Sequence, residues 1–151
     1  MPYTEAYNTD PAVAQEGQVA DTSPATILSR TVEADIAFGR AVQVGTKQHA
    51  VVAAAAGPVT GITVRSQATG ARETNPDIYP ANDTAGIITK GAIWVKVDST
   101  VVEGDDVTVT VATGLFGTKA VAAGVIAVPN AVFDTGAAAN GLARIRINLP
   151  Q

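Results

Sequence analysis

Residues 84–118 read TAGIITKGAIWVKVDSTVVEGDDVTVTVATGLFGT and hold the cleanest alternation in the chain. Ile93, Val95 and Val97 fall on one face, with Trp94, Lys96 and Asp98 on the other. Val107, Val109 and Val111 then alternate with Thr108 and Thr110. A period of two specifies half-buried β-strands. Between the two runs lies Glu103-Gly104-Asp105-Asp106, a polar segment with glycine, which predicts a turn. The stretch is expected to form a hairpin-like pair of strands at the centre of an all-β protein.

Working outward, the same period recurs. Val32, Ala34, Ile36 and Phe38 make one apolar face of a predicted strand over 31–38, with Glu33 and Asp35 on the other. Gly39 predicts a bend, and Val42 and Val44 continue the pattern. Residues 46–49 read as a turn, 50–56 as an apolar run broken by Gly57-Pro58, and 59–64 as another strand. Residues 66–83 (SQATGARETNPDIYPAND) form a long polar connection rich in turn signals, and loops of that length are commonly functional. Its Tyr79 can pin the loop to the body or reach a neighbour. Residues 119–128 favour a strand ended by Pro129, and 134–140 read as a loop. In the last strand, 142–149, Ile145, Ile147 and Leu149 oppose Arg144, Arg146 and Asn148.

Eight or nine strands and no convincing helix in 151 residues give the fold class. It is all-β, a single-domain jelly-roll-like β-sandwich or small barrel with an extended N-terminal arm. The expected organisation is an arm over 1–24 and a β-domain over 25–151. The arm carries Pro2, Pro11 and Pro24 and few large apolar residues, too little to offset its own ordering entropy. Tyr3 and Tyr7 are the exceptions, amphipathic rings suited to anchoring on a partner.

Composition narrows the function. The chain is 46% hydrophobic but only 5% aromatic and 16% charged. A weakly charged surface costs little to desolvate, which suits burial in an assembly and equally suits a bland soluble monomer. The net charge of −4 supplies no cationic field for nucleic acid. The absence of cysteine excludes disulfides, thiolate metal sites and a cysteine nucleophile. No basic region precedes an apolar block, so no signal peptide is expected. The apolar run 50–56 is far short of the roughly 20 residues of a membrane helix, and no membrane partner is expected.

Tests for chemistry come out against an enzyme. His49 is the only histidine, and neither a G-x-S-x-G elbow nor a GxxxxGK[ST] loop occurs. Glu103, Asp105 and Asp106 lack the spacing of a calcium loop. No catalytic residue, cofactor or metal is expected. What remains is an interaction protein. Trp94, the only tryptophan, sits on the polar face of its strand, so the long loop or another subunit must cover it. Lys96, Arg144 and Arg146 sit on comparable faces, where arginines can hold a partner's carboxylates or pair with acidic neighbours of their own.

These residues carry a family resemblance. Residues 17–21 (GQVAD), 29–33 (SRTVE), 36–42 (IAFGRAV), 61–64 (GITV), Tyr79 ahead of 87–95 (IITKGAIWV), 101–109 (VVEGDDVTV) and 143–148 (ARIRIN) resemble bacteriophage head decoration proteins of the structural cement type. The resemblance covers most of the chain and implies a jelly-roll virion protein, made in the host cytoplasm, on the outer surface of the capsid. Its implied partners are the phage major capsid protein and itself, as a homodimer in preference to a trimer. It implies bridging of neighbouring capsid subunits and stabilisation of the expanded, DNA-filled shell. Tyr3, Tyr7, Tyr79, Trp94, Lys96, Arg144 and Arg146 are the expected interface residues. Another all-β virion component, a tail or fibre-base protein, is the alternative. A carbohydrate-binding sandwich fits less well, because sugar sites present several clustered aromatics.

Overall fold

The computed structural model describes residues 14–21, 23–66 and 77–149. Eleven strands follow in order: β1 (Thr26–Val32), β2 (Ile36–Ala37), β3 (Ala41–Val44), β4 (Ala50–Ala53), β5 (Gly61–Thr63), β6 (Ile78–Tyr79), β7 (Thr84–Lys96), β8 (Asp106–Thr110), β9 (Phe116–Gly117), β10 (Val125–Phe133) and β11 (Leu142–Asn148). No helix occurs among the described residues. The all-β class holds, and of the two architectures expected, the small barrel is the one that forms.

The 13-residue β7 organises it. Its first half pairs with β1 on one side and with β5 on the other. β5 pairs with β3, β3 with β4, and β4 with β1, so five strands close into a barrel. The second half of β7 pairs with β11, which leads through β10 and β8 to β9. One parallel bridge, Val97 to Phe116, returns β9 to the end of β7. The hand-over occurs at Lys90, which faces both Thr26 and Asn148. Next comes Gly91 with φ 129°, a conformation that only glycine adopts without strain. A Cβ there would also lie 3.0 Å from that of Ala25.

The alternation read from sequence explains the two cores. Val32, Phe38, Val42, Val51 and Ile87 fill the five-stranded barrel, with Tyr79. Ile93, Val95, Val97, Phe116, Phe133 and Ile145 fill the second ring. Ala41, Ile62 and Ile88 join that second core, so the outer wall of the barrel packs against it.

Several expectations are corrected. Residues 93–97 and 107–111 do not form a hairpin, because β11 and β10 lie between β7 and β8. The turn at 103–106 does form, with Gly104 at φ 93° and Asp105 accepting from the Val102 amide at 2.9 Å. It delivers β8 to β10 rather than back to β7, because Val101 is already bridged to Ala137. The strand over 31–38 is broken after Val32, and Ala34 is exposed. Its two carboxylates stay on the solvent side and also bind turns: Glu33 accepts from the Lys47 amide at 2.7 Å and Asp35 from the Ala81 amide at 2.9 Å. Pro129 does not end a strand. β10 runs through it with a register shift between Ala127 and Val132 and Asn130 at φ 52°. A bulge is where a residue without an N–H costs the ladder nothing.

Of the expected arm, residues 1–13 and 22 lie outside the described residues. Residues 17–20 run along the second half of β7. The Gly17 amide donates to the Trp94 carbonyl (2.8 Å), the Trp94 amide to the Gln18 carbonyl (2.9 Å) and the Ala20 amide to the Ala92 carbonyl (2.9 Å). Gly17 has φ 81°, and a Cβ there would meet the Phe38 Cβ at 2.9 Å, so glycine permits this close crossing.

Candidate interaction surface

The inward turn of Ile93 and Val95 puts Trp94 and Lys96 on the outer face of β7. The inward turn of Ile145 and Ile147 does the same for Arg144 and Arg146 on β11. The antiparallel register sets Arg144 directly opposite Trp94, Arg146 opposite Ala92, and Leu142 opposite Lys96. Direct cross-strand partners have Cβ atoms about 5 Å apart. Four expected interface residues thus share one face, although they come from segments some fifty positions apart in the chain. Trp94 is half-buried. Its amide and carbonyl bond residues 17–18, which fixes the strand while the indole stands on the outer face.

The arginines have acidic neighbours. Asp134 Oδ2 lies 2.6 Å from Arg144 and 3.3 Å from Arg146, and Asp21 Oδ2 lies 3.5 Å from Arg146. The Arg144 amide donates to Thr135 Oγ1 at 2.9 Å, which ties the loop after β10 to the same patch. Arg146 keeps 46% of its side chain exposed against 30% for Arg144, so it is the freer cation. Lys96 lies close enough to act electrostatically on Glu16. Burial raises the Glu16 carboxyl, against the pull of Arg40, which pairs with it at 2.7 Å, and of Lys96 and Arg65. The face therefore combines one amphipathic indole with three cations, two of them partly neutralised.

Asp21 gives this patch a pH dependence. Hydrogen bonds from Ser23 hold its carboxyl below the usual range, helped by Arg146 and Arg144; the Ser23 amide lies 3.0 Å from Oδ1. A carboxyl depressed in the fold stabilises it above the unfolded pKa, and that contribution is lost as pH falls through the folded value. Asp21→Asn is expected to lower the midpoint of thermal unfolding at neutral pH. The gap from the parent should close as the buffer is taken into the acid range. A gap that persists unchanged at low pH would show that the charge of Asp21 is irrelevant.

The remaining expected residues lie elsewhere. Tyr79 is 3% exposed, packed edge-on against Phe38 at 5.0 Å, with its hydroxyl donating to the Val64 carbonyl. It pins the long connection to the barrel, and its ring is committed to the chain's own core rather than to a neighbour. Tyr3 and Tyr7 lie outside the described residues. Asp21, Asp134 and Glu16 were not singled out from the sequence. Asp21 is 125 positions from Arg146 and Asp134 is 12 from it across the turn between β10 and β11; no spacing rule in the sequence links either to the arginine, and the topology brings them together. His49 is exposed in a turn, and no group of three or more His, Cys, Asp or Glu suited to a metal occurs among the described residues.

Comparison with known proteins supplies what this geometry alone does not. The model of a family described as "Structural cement protein (E217 gp24/Pam3 gp6)" matches residues 3–148. No curated protein matches the chain. Among solved structures, a chain from "The capsid of Myoviridae Phage XM1" superposes with a TM-score of 0.76 at 21% identity, covering 98% of both chains. A chain from "The crystal structure of head fiber gp8.5 N base in bacteriophage phi29" superposes at 0.52 with 12% identity, covering 82% of this chain and 94% of that one. At these identities the two likenesses are likenesses of fold.

Proposed function

The chain belongs to the structural cement protein family and is a structural component of a phage capsid, and from that premise we propose that it binds the outer surface of the head and bridges neighbouring major capsid subunits. Bridging adds contacts across capsomer boundaries and so stabilises the expanded, DNA-filled shell. The family match across residues 3–148 carries this reading. The outer face of β7 and β11 supports it. A half-buried tryptophan beside arginines is the composition of an interface hot spot, and the low charge of the whole chain keeps desolvation inexpensive. Many copies act on one particle, so modest affinity per copy sums to a large gain for the shell. The proposed partners are the major capsid protein and further copies of this chain, as a dimer in preference to a trimer. The protein is made in the host cytoplasm and needs no catalytic group for this work.

A density-gradient separation of an infected-cell lysate tests the reading. The polypeptide is expected to travel with filled heads in copy numbers comparable with the major capsid protein. Finding it only among free small proteins would overturn the proposal. The likeness to a head-fibre base favours one second reading, a base for a fibre. That reading predicts few copies per head, and the same gradient separates the two by stoichiometry.

A further inference from the structure

One edge of β1 is bare. The strand pairs with β7 along its length, but β4 covers its other side only at Thr31 and Val32. On that side the Thr31 amide donates to the His49 carbonyl at 3.1 Å. Backbone groups alternate between the two sides of a strand, so the N–H and C=O of Ile27 and Ser29 point the same way. Among the described residues no strand pairs with them there. The Ser29 carbonyl accepts from the Arg30 guanidinium at 3.1 Å instead, where a neighbouring strand would supply an amide. The bare run, residues 27–30, is about 13 Å long, and sheets ordinarily cover or blunt such an edge.

The bare edge borders a cleft of about 470 Å³, whose lining includes Leu28, Arg30, Val44, His49, Val51 and Ile87. Ile27 and Val44 flank it, 48% and 67% exposed. No carboxylate lines the cleft. Glu33, in the adjoining turn, is already committed to the Thr46 hydroxyl and the Lys47 amide. These features define the occupant. Free N–H and C=O groups in a row are matched by another extended backbone. Leu28, Val44 and Ile87 match apolar side chains on it, and Arg30 matches a carboxylate. The cleft has β1 on one side and Val44 and His49 on the other, so it admits a single chain with no sheet behind it. The β1 edge of a second copy would bring its own β7 along and is too broad to enter. A bridge also needs two contacts on different subunits. The Trp94 face, on the second half of β7, supplies one, and the bare edge of β1 flanks the first half.

We propose that an extended, carboxylate-bearing segment of the major capsid protein adds as a strand to the bare edge of β1, with its apolar side chains in the cleft and its carboxylate on Arg30. This contact rests on the capsid reading and supplies the second end of the bridge. The incoming amide replaces Arg30 at the Ser29 carbonyl, which frees the guanidinium for the carboxylate.

Site-resolved hydrogen exchange of the full chain, free and bound to heads that lack this protein, tests the contact. The Ile27 and Ser29 amides are expected to exchange fast in the free protein and at least tenfold more slowly on heads. Ser29→Pro deletes an edge N–H that the free fold leaves unbonded, and proline is tolerated on an edge. It should weaken head binding about tenfold or more at a parental unfolding midpoint. Arg30→Glu should weaken binding comparably, and Arg30→Lys should retain most of it. Protein that binds heads with Ile27 and Ser29 still exchanging fast would overturn this contact and leave the capsid reading standing. Protein that fails to bind heads at all would overturn both. Slow exchange of the two amides in the free protein at every concentration would assign the edge to the chain's own residues. Slowing that grows with protein concentration in the absence of heads would assign it to a second copy. Either result overturns the proposal, as does Arg30→Glu binding heads like the parent.

Discussion

Phe116→Ala is expected to lower the unfolding free energy by about 3–5 kcal/mol, the range for truncating a fully buried phenylalanine. In a chain of this size that is a fall in Tm of about 6–20 °C. Phe116 is 0% exposed and belongs to the two-residue β9, whose few backbone contacts cannot hold it alone. It faces Val109 on β8 and bridges to Val97 at the end of β7, where its carbonyl accepts from the Asp98 amide at 2.9 Å. The ring therefore fills the core at the point where β9 returns to β7. Removing it leaves a cavity among β-branched side chains whose stiff rotamers cannot collapse to fill it. Val121→Ala, at a position 64% exposed, is the matched control and should change stability by less than about 0.5 kcal/mol. Urea unfolding of the two variants checks this. A cost near 1 kcal/mol for Phe116→Ala would mean that the second ring is loosely packed there.

The same residue shows what the sequence could and could not reveal. Alternation records which side of a strand faces inward, and that part was legible: Ile93, Val95, Ile145 and Ile147 are all buried, with Trp94, Lys96, Arg144 and Arg146 opposite. Alternation carries no information about partners. Two alternating runs with a turn between them predict a hairpin because local closure costs the least entropy. Here β11, from the far end of the chain, takes the place beside β7 that β8 was expected to hold. Phe116 stands in a stretch with too few alternating residues to announce a strand. Glu33 and Asp35 are on the solvent side as read, but their bonds to the turns at Lys47 and Ala81 were not legible, because side-chain capping of a turn leaves no periodic trace. Tyr79 was left open between pinning the long loop and reaching a neighbour, because its ring could not be assigned to either without knowing that Phe38 lies beside it.

Trp94→Ala is expected to weaken head binding by about 2–4 kcal/mol per copy, a loss of about 30- to 700-fold in affinity, while leaving the fold nearly intact. The two effects separate because of how Trp94 is held. Its backbone makes the hydrogen bonds that align residues 17–18 with β7, and alanine keeps them. The indole stands on the outer face, opposite Arg144, and is only half-buried. Its removal therefore opens no cavity in the core formed by Ile93, Val95 and Ile145. An indole covered by a partner and ringed by Arg144 and Arg146 loses its remaining water on docking, and such sites carry most of an interface's energy. Titrating purified variant onto heads that lack this protein, with bound copies counted after sedimentation, measures the loss. Arg146→Glu on the same heads should weaken binding with a salt dependence, since it reverses the more exposed cation. If Trp94→Ala fills the heads at parental concentrations, this face does not meet the shell, and the exposed valines Val44, Val102 and Val121 become the surface to test.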